Sequence, residues 1–197
     1  PLYKLSHARE SNVPKTIFKG TTDGEYVMAP NSVFHIHEHV FAIDTNTRTI
    51  DGNAVSMAGV IHAYLDGEQL KYGPISVFEF WDAEITSEIL GWYALIQSIV
   101  ENNFFDDKNI GIIIDHNLGD LEKYNNREIA ISGDYFLPEN MTLIYASADK
   151  AAGIANMLIK FADRVANTQF ERIIMNVDAS TLKDTTYPCR YFRQWED

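Results

Sequence analysis

Cysteine is almost missing from this 197-residue chain: Cys189 stands alone. No internal disulfide can form, and a lone thiol agrees with a reducing compartment. Cys189 follows Pro188 and reads as a structural or incidental residue, not a catalytic thiol. No run of about 18 apolar residues occurs, so no membrane-spanning helix is expected. The first thirty residues carry Lys4, Arg9, Lys15 and Glu25 where a signal peptide would need an apolar core. A soluble, cytoplasmic protein with no membrane partner is the expectation. Positive charge is scarce too, with 16 basic against 28 acidic residues and a net charge of -12. That balance argues against a general polyanion binder, because affinity for nucleic acid normally rests on lysine and arginine facing phosphate. The deficit is local: residues 41 to 120 hold three basic and thirteen acidic side chains. There is no internal repeat and no low-complexity tract.

What is present is enough apolar content, 46%, for one good core. The chain is read as a single domain over 1–197, with an N-terminal extension (1–32), a core (33–177) and a C-terminal tail (178–197). Residues 1 to 32 are turn-rich and suggest an extension or an irregular hairpin. From Val33 the pattern turns to strand. Asp51-Gly52 then marks a hairpin into residues 55 to 64, and Asp66-Gly67 marks another before 75 to 81. Residues 84 to 102 show helical spacing of apolar side chains, 110 to 114 return to strand, and a polar loop holds Tyr124-Asn125-Asn126. A strand at 141 to 146 leads to a second long helix, about 150 to 167. A last short strand or coil at 172 to 177 runs into an aromatic, basic tail.

Two apolar runs each stop on an aspartate: Val40-Phe41-Ala42-Ile43 at Asp44, and Ile110-Gly111-Ile112-Ile113-Ile114 at Asp115. Unbroken β-branched runs read as strands buried on both faces, and in open α/β sheets chemistry gathers at the carboxyl ends of such strands. Two acids on neighbouring strands would repel unless a proton or cation sat between them, which suggests a divalent-metal site of hard oxygen ligands. Each Asp could instead serve a turn or cap. Glu88 shares a helical stripe with Ile85, Trp92, Leu95 and Ile99, so its charge would sit at the edge of a buried face and need compensation. If the helix is rotated, Glu88 is simply solvated beside Glu84.

Three hairpin-linked strands, helix, strand, strand, helix, with Asp ending the first and fourth strands, resembles the ribonuclease H-like superfamily over about residues 40 to 167. The resemblance rests on Phe41-Ala42-Ile43-Asp44-Thr45-Asn46, on Ser87-Glu88-Ile89-Leu90-Gly91, on Ile113-Ile114-Asp115-His116-Asn117, and on the segment from Ser147-Ala148-Asp149 to Ala155-Asn156. It implies an α/β fold with a mixed five-stranded sheet, flanking helices and terminal extensions. It also implies a divalent-metal-dependent nuclease with two Mg²⁺ or Mn²⁺ ions. Asp44 would bridge them, Glu88 and Asp115 would hold one, and Asp149 with Asn156 the other; His116 could shuttle a proton. Relatives often place an acid one turn inside the last helix in an Ala-Asp pair, where this chain has Ala155-Asn156. Asp149 then either supplies the fourth carboxylate or caps the helix.

RNA, an RNA/DNA hybrid or structured DNA would be substrates, gripped by Lys150, Arg164, Arg190 and Arg193 with Tyr191 and Trp195. A competing reading is a catalytically degenerate module that binds a protein or nucleotide; a protein partner or homo-oligomer is compatible with both. A third uses His35-Ile36-His37-Glu38-His39, where a strand would put three imidazoles on one face for a transition metal. Histidines on an exposed strand face are the plainer account of that segment.

Overall fold

The computed structural model describes residues 18–20, 26–28, 33–82, 86–115, 121–146, 153–176 and 190–195. In chain order its strands are β1 (Phe18–Gly20), β2 (Tyr26–Met28), β3 (His39–Ile50), β4 (Asn53–Asp66), β5 (Gln69–Tyr72), β6 (Ile75–Trp81), β7 (Ile110–Ile114), β8 (Met141–Tyr145) and β9 (Arg190–Trp195). The helices are α1 (Val33–Ile36), α2 (Ser87–Val100), α3 (Leu121–Asn125) and α4 (Ile154–Asn176). β1 and β2 pair with each other in a two-stranded antiparallel sheet. The other strands make one mixed sheet in the order β8-β7-β3-β4-β6-β9, with β5 on β4, so the chain is α/β with seven strands in place of the expected five, β5 and β9 being the additions.

The hairpin from β3 to β4 follows from its turn. Asp51 and Gly52 both have positive φ, 49° and 78°, and Ile50 pairs with Asn53. A two-residue loop of that hand matches the twist of the flanking strands, and Asp-Gly tolerates it best. β7 is apolar without interruption because it is buried on both faces between parallel neighbours, β3 and β8.

Register assigns the two faces. Asp44 pairs with Gly59 and Thr45 with Ala58, so these pairs point to opposite sides of the sheet. A β-carbon on Gly59 would lie 2.3 Å from the carbonyl of Ala162 and 2.8 Å from the amide of Ala166, both on α4. One on Gly91 of α2 would lie 2.8 Å from Oγ1 of Thr45. The helix α4 therefore packs on the face that carries Asp44, and α2 on the face that carries Thr45. Thr47, on the α2 side, ties β3 to Ser56 at 2.7 Å and to Ser87 at the start of α2 at 3.3 Å.

Four expectations are corrected. β3 begins at His39, because residues 33 to 36 close a helical turn in which the His37 amide donates to the Val33 carbonyl. The segment read as a polar loop contains α3, whose buried Asn125 meets the edge of β8 with both ends of its amide, at 3.0 and 2.7 Å from Leu143. The last helix continues to Asn176, so its final turns are not a strand. The C-terminal tail contributes β9, antiparallel to β6, where the alternating Arg-Tyr-Phe-Arg-Gln-Trp finds an edge.

Candidate functional site

β3 and β7 run parallel and adjacent, with Ile43 opposite Ile114. Asp44 and Asp115 each follow the last paired residue, so the two acids stand on neighbouring chains, as the sequence suggested. β3 does not end there. It continues to Ile50 because β4 still pairs with it, whereas β7 stops at Ile114. Past that point β3 lacks a strand on its β7 side among the described residues, so Asp44 sits at a notch in the sheet, partly buried.

Burial pushes the carboxyl of Asp44 up to about 7, reinforced by a hydrogen bond to Asp163, by the charge of Asp163, and then by Asp115 and Glu88. Two carboxyl groups can hydrogen-bond only when a proton lies between them. Asp163 is the acid that sequence reasoning missed. It lies on α4 in an Ala162-Asp163 pair, seven residues or about two turns beyond Asn156. That Ala-Asp pair is its signal in the sequence, about two turns further along the helix than Ala155-Asn156.

Asp163 is held by amides. Nδ2 of Asn46 donates to its Oδ1 at 2.8 Å, and Nδ2 of Asn167 donates to the same oxygen at 3.1 Å. Arg48 in turn donates from Nη2 to Oδ1 of Asn167 at 2.9 Å, and its guanidinium lies 4.8 Å above the Phe170 ring. Asp44, Asn46 and Arg48 alternate along β3 and so share the face under α4. On α4, residues 163, 167 and 170 form the matching stripe. We expect Asn46→Ala to leave Oδ1 of Asp163 with one amide donor and to cost about 1 kcal/mol. Denaturant melts of the variant should show that loss with an unchanged m value.

The other sequence candidates divide. Glu88 is half-buried in the first turn of α2 and close enough to act on Asp44. Asn156 is buried near the start of α4, and the α4 side chain acting on Asp44 is Asp163. His116 and Asp149 lie outside the described residues, as does Lys150. Arg164 is exposed beside Asp163. Arg190, Tyr191, Arg193 and Trp195 sit on β9, which the strand order separates from β3 by β4 and β6, about 14 Å across the sheet.

The histidine strand is also corrected. His35 is exposed on α1, His37 is buried after it, and His39 opens β3, so no strand alternation aligns the three imidazoles. Burial lowers His37 to about 4. His39 instead hydrogen-bonds His62 on β4 at 2.9 Å. Among the described residues no three histidine, cysteine, aspartate or glutamate side chains close around a common point. Glu88 and Asp115 act on Asp44 as a field; Asp163 touches it.

The fold and this site define an α/β domain whose mixed sheet carries a cluster of acids where one parallel strand stops short. The sequence matches no protein-family model and none of the curated proteins. No described helix is long and apolar enough to cross a membrane.

Proposed function

We propose that this chain is a divalent-metal-dependent nuclease of ribonuclease H-like type, hydrolysing phosphodiester bonds in RNA, an RNA/DNA hybrid or structured DNA. The observation that carries this is the shared field on Asp44. Besides burial, Asp163 on α4, Asp115 at the end of β7 and Glu88 on α2 all raise the proton affinity of Asp44 on β3, and acids that mutually destabilise their charges gain when a cation replaces the proton. The donors are all carboxylate oxygens, which suit Mg²⁺ or Mn²⁺ better than zinc.

Asp44 and Asp163, which touch, would hold the metal, and Glu88 and Asp115 would add negative charge around it. When bound, such ions supply a nucleophilic water and stabilise the leaving oxygen. The residues of the chain do the rest. Asn46 and Asn167 would hold Asp163 by its Oδ1 beside Asp44. Arg48 braces Asn167 and keeps α4 seated on the strand that carries the central acid.

One observation favours a non-catalytic binding module as the second reading. The Asp44 and Asp163 pair is satisfied inside the protein by a proton and by two amides, and can serve as a polar clasp between β3 and α4. Cleavage of RNA, hybrid and DNA substrates in Mn²⁺, with and without chelator, separates the two. The nuclease reading expects chelator-sensitive cleavage that Asp163→Asn and Asp115→Asn reduce at least about 100-fold while both variants stay folded. A wild-type chain that binds no Mn²⁺ at millimolar concentration would leave the clasp as the better account.

A further inference from the structure

On the opposite face of the sheet, under α2, lies a cavity of about 460 Å³. Small-molecule sites are roughly 300–1,000 Å³, mostly apolar, with a few convergent polar groups. His39 lies five residues before Asp44 on β3, about 16 Å along the strand and on the other side of it. This cavity is therefore separate from the carboxylate cluster, and nothing said of it rests on the nuclease reading.

Its walls are aromatic. The Phe41 ring stacks on His62 with centroids 4.3 Å apart and planes 5° from parallel. Phe104 and Phe105 stand edge-on to His39 at 5.5 and 5.2 Å, and Tyr64 lies 5.4 Å from the same ring. Among the described lining residues there is no Asp, Glu, Lys or Arg. Burial lowers both imidazoles, His62 to about 4 with a contribution from His39.

The hydrogen bond runs between Nδ1 of His39 and Nε2 of His62. In a neutral pair one ring donates that bond and the other accepts it, so the two outer nitrogens always have opposite character. The outer nitrogen of His62, Nδ1, is set against Gly73, where an added β-carbon would stand 2.1 Å away. Nε2 of His39 is left for a ligand. It is an acceptor when His39 donates to His62 and a donor when the pair's proton is reversed.

From this juxtaposition we infer that the cavity binds an uncharged, flat nitrogen heterocycle, of the chemical class of a free nucleobase, stacked among the aromatic walls and hydrogen-bonded to Nε2 of His39. A charged ring would lose its hydration with no counter-charge in the lining. A saturated ring would forgo the stacking that Phe41 and His62 offer. The ambivalent nitrogen suits heterocycles, whose edges carry both donors and acceptors.

Long-range ¹H–¹⁵N spectra of protein labelled at histidine provide the test, since they follow the ring nitrogens and their tautomers directly. At pH 7.5 the protein is titrated separately with benzimidazole, adenine, benzoate, benzamidine and zinc chloride. At least one of the two neutral heterocycles should saturably shift the His39 and His62 ring nitrogens, and the two charged rings should bind about tenfold more weakly or not at all. His39→Phe keeps the ring and removes the nitrogen, and should weaken the heterocycle by about tenfold, the worth of one hydrogen bond. Ser98→Phe acts at an exposed α2 position on the cavity wall, so it should fill the space and abolish binding without lowering the melting temperature. No shift with either heterocycle at millimolar concentration would overturn the proposal. So would equal binding of benzoate, unchanged binding in Ser98→Phe, or shifts produced by zinc alone.

Discussion

Replacing Asp44 with asparagine is expected to raise the melting temperature of the metal-free protein at pH 8 and to leave it nearly unchanged at pH 4. The folded chain holds the Asp44 carboxyl up at about 7, against 3.8 for the free side chain. At pH 4 the carboxyl is neutral in the folded chain and only partly ionised in the unfolded one, so its electrostatic cost is small there. As pH rises through that window the unfolded chain ionises first, and stability falls by up to about 1.4 kcal/mol per pH unit. Asparagine cannot ionise, and its amide can still donate to Asp163. The variant should therefore gain about 1–3 kcal/mol at pH 8, with each kcal/mol worth roughly 2–4 °C in a chain of this size. On the nuclease reading, millimolar Mg²⁺ should close the gap from the other side by stabilising wild type alone. Thermal melts of both proteins across pH 4 to 8 decide it; an Asp44→Asn protein less stable than wild type at pH 8 without metal would contradict the shared-field account.

The second large effect is steric. Gly59→Ala should destabilise the fold by about 3 kcal/mol or more, because the new methyl group meets backbone, not a movable side chain. The clash is with the carbonyl of Ala162, 2.3 Å away, and the amide of Ala166. Those residues flank Asp163, so any relaxation that lifts α4 off β4 also pulls Asp163 from Asn46 and Asp44. Loss of stability and loss of divalent-ion binding should appear together. Gly91→Ala is the control. Its nearest obstacle is the Thr45 hydroxyl, which can rotate, so the cost should be about 1 kcal/mol or less and any divalent-ion binding proposed above should be unchanged. Urea denaturation with Mn²⁺ titration of the two variants checks both halves. A Gly59→Ala protein as stable as wild type would mean that α4 is not seated where these contacts put it.

The sequence by itself determined the local and periodic features. Alternation and the Asp51-Gly52 pair specify the first hairpin, and the unbroken run at 110 to 114 specifies a strand covered on both sides. The helical stripe that includes Trp92, Leu95 and Ile99 specifies the buried face of α2. Those signals also sufficed to put Asp44 and Asp115 on adjacent strands. Histidines 35, 37 and 39 do not alternate on one strand because a helical turn precedes β3, and a single turn has too few residues to show a period in the sequence. The Ala162-Asp163 pair was in plain view, yet which acid on a 23-residue helix meets the sheet depends on where that helix rests. Only the tertiary structure decided this: the missing side chain at Gly59 lets α4 approach at residues 162 to 166, and that contact aims Asp163 at Asp44. The pairing of β9 with β6 and the meeting of His39 with His62 have the same origin. Each joins segments whose attraction arises once the sheet has brought them together, and no window of neighbouring residues carries that information.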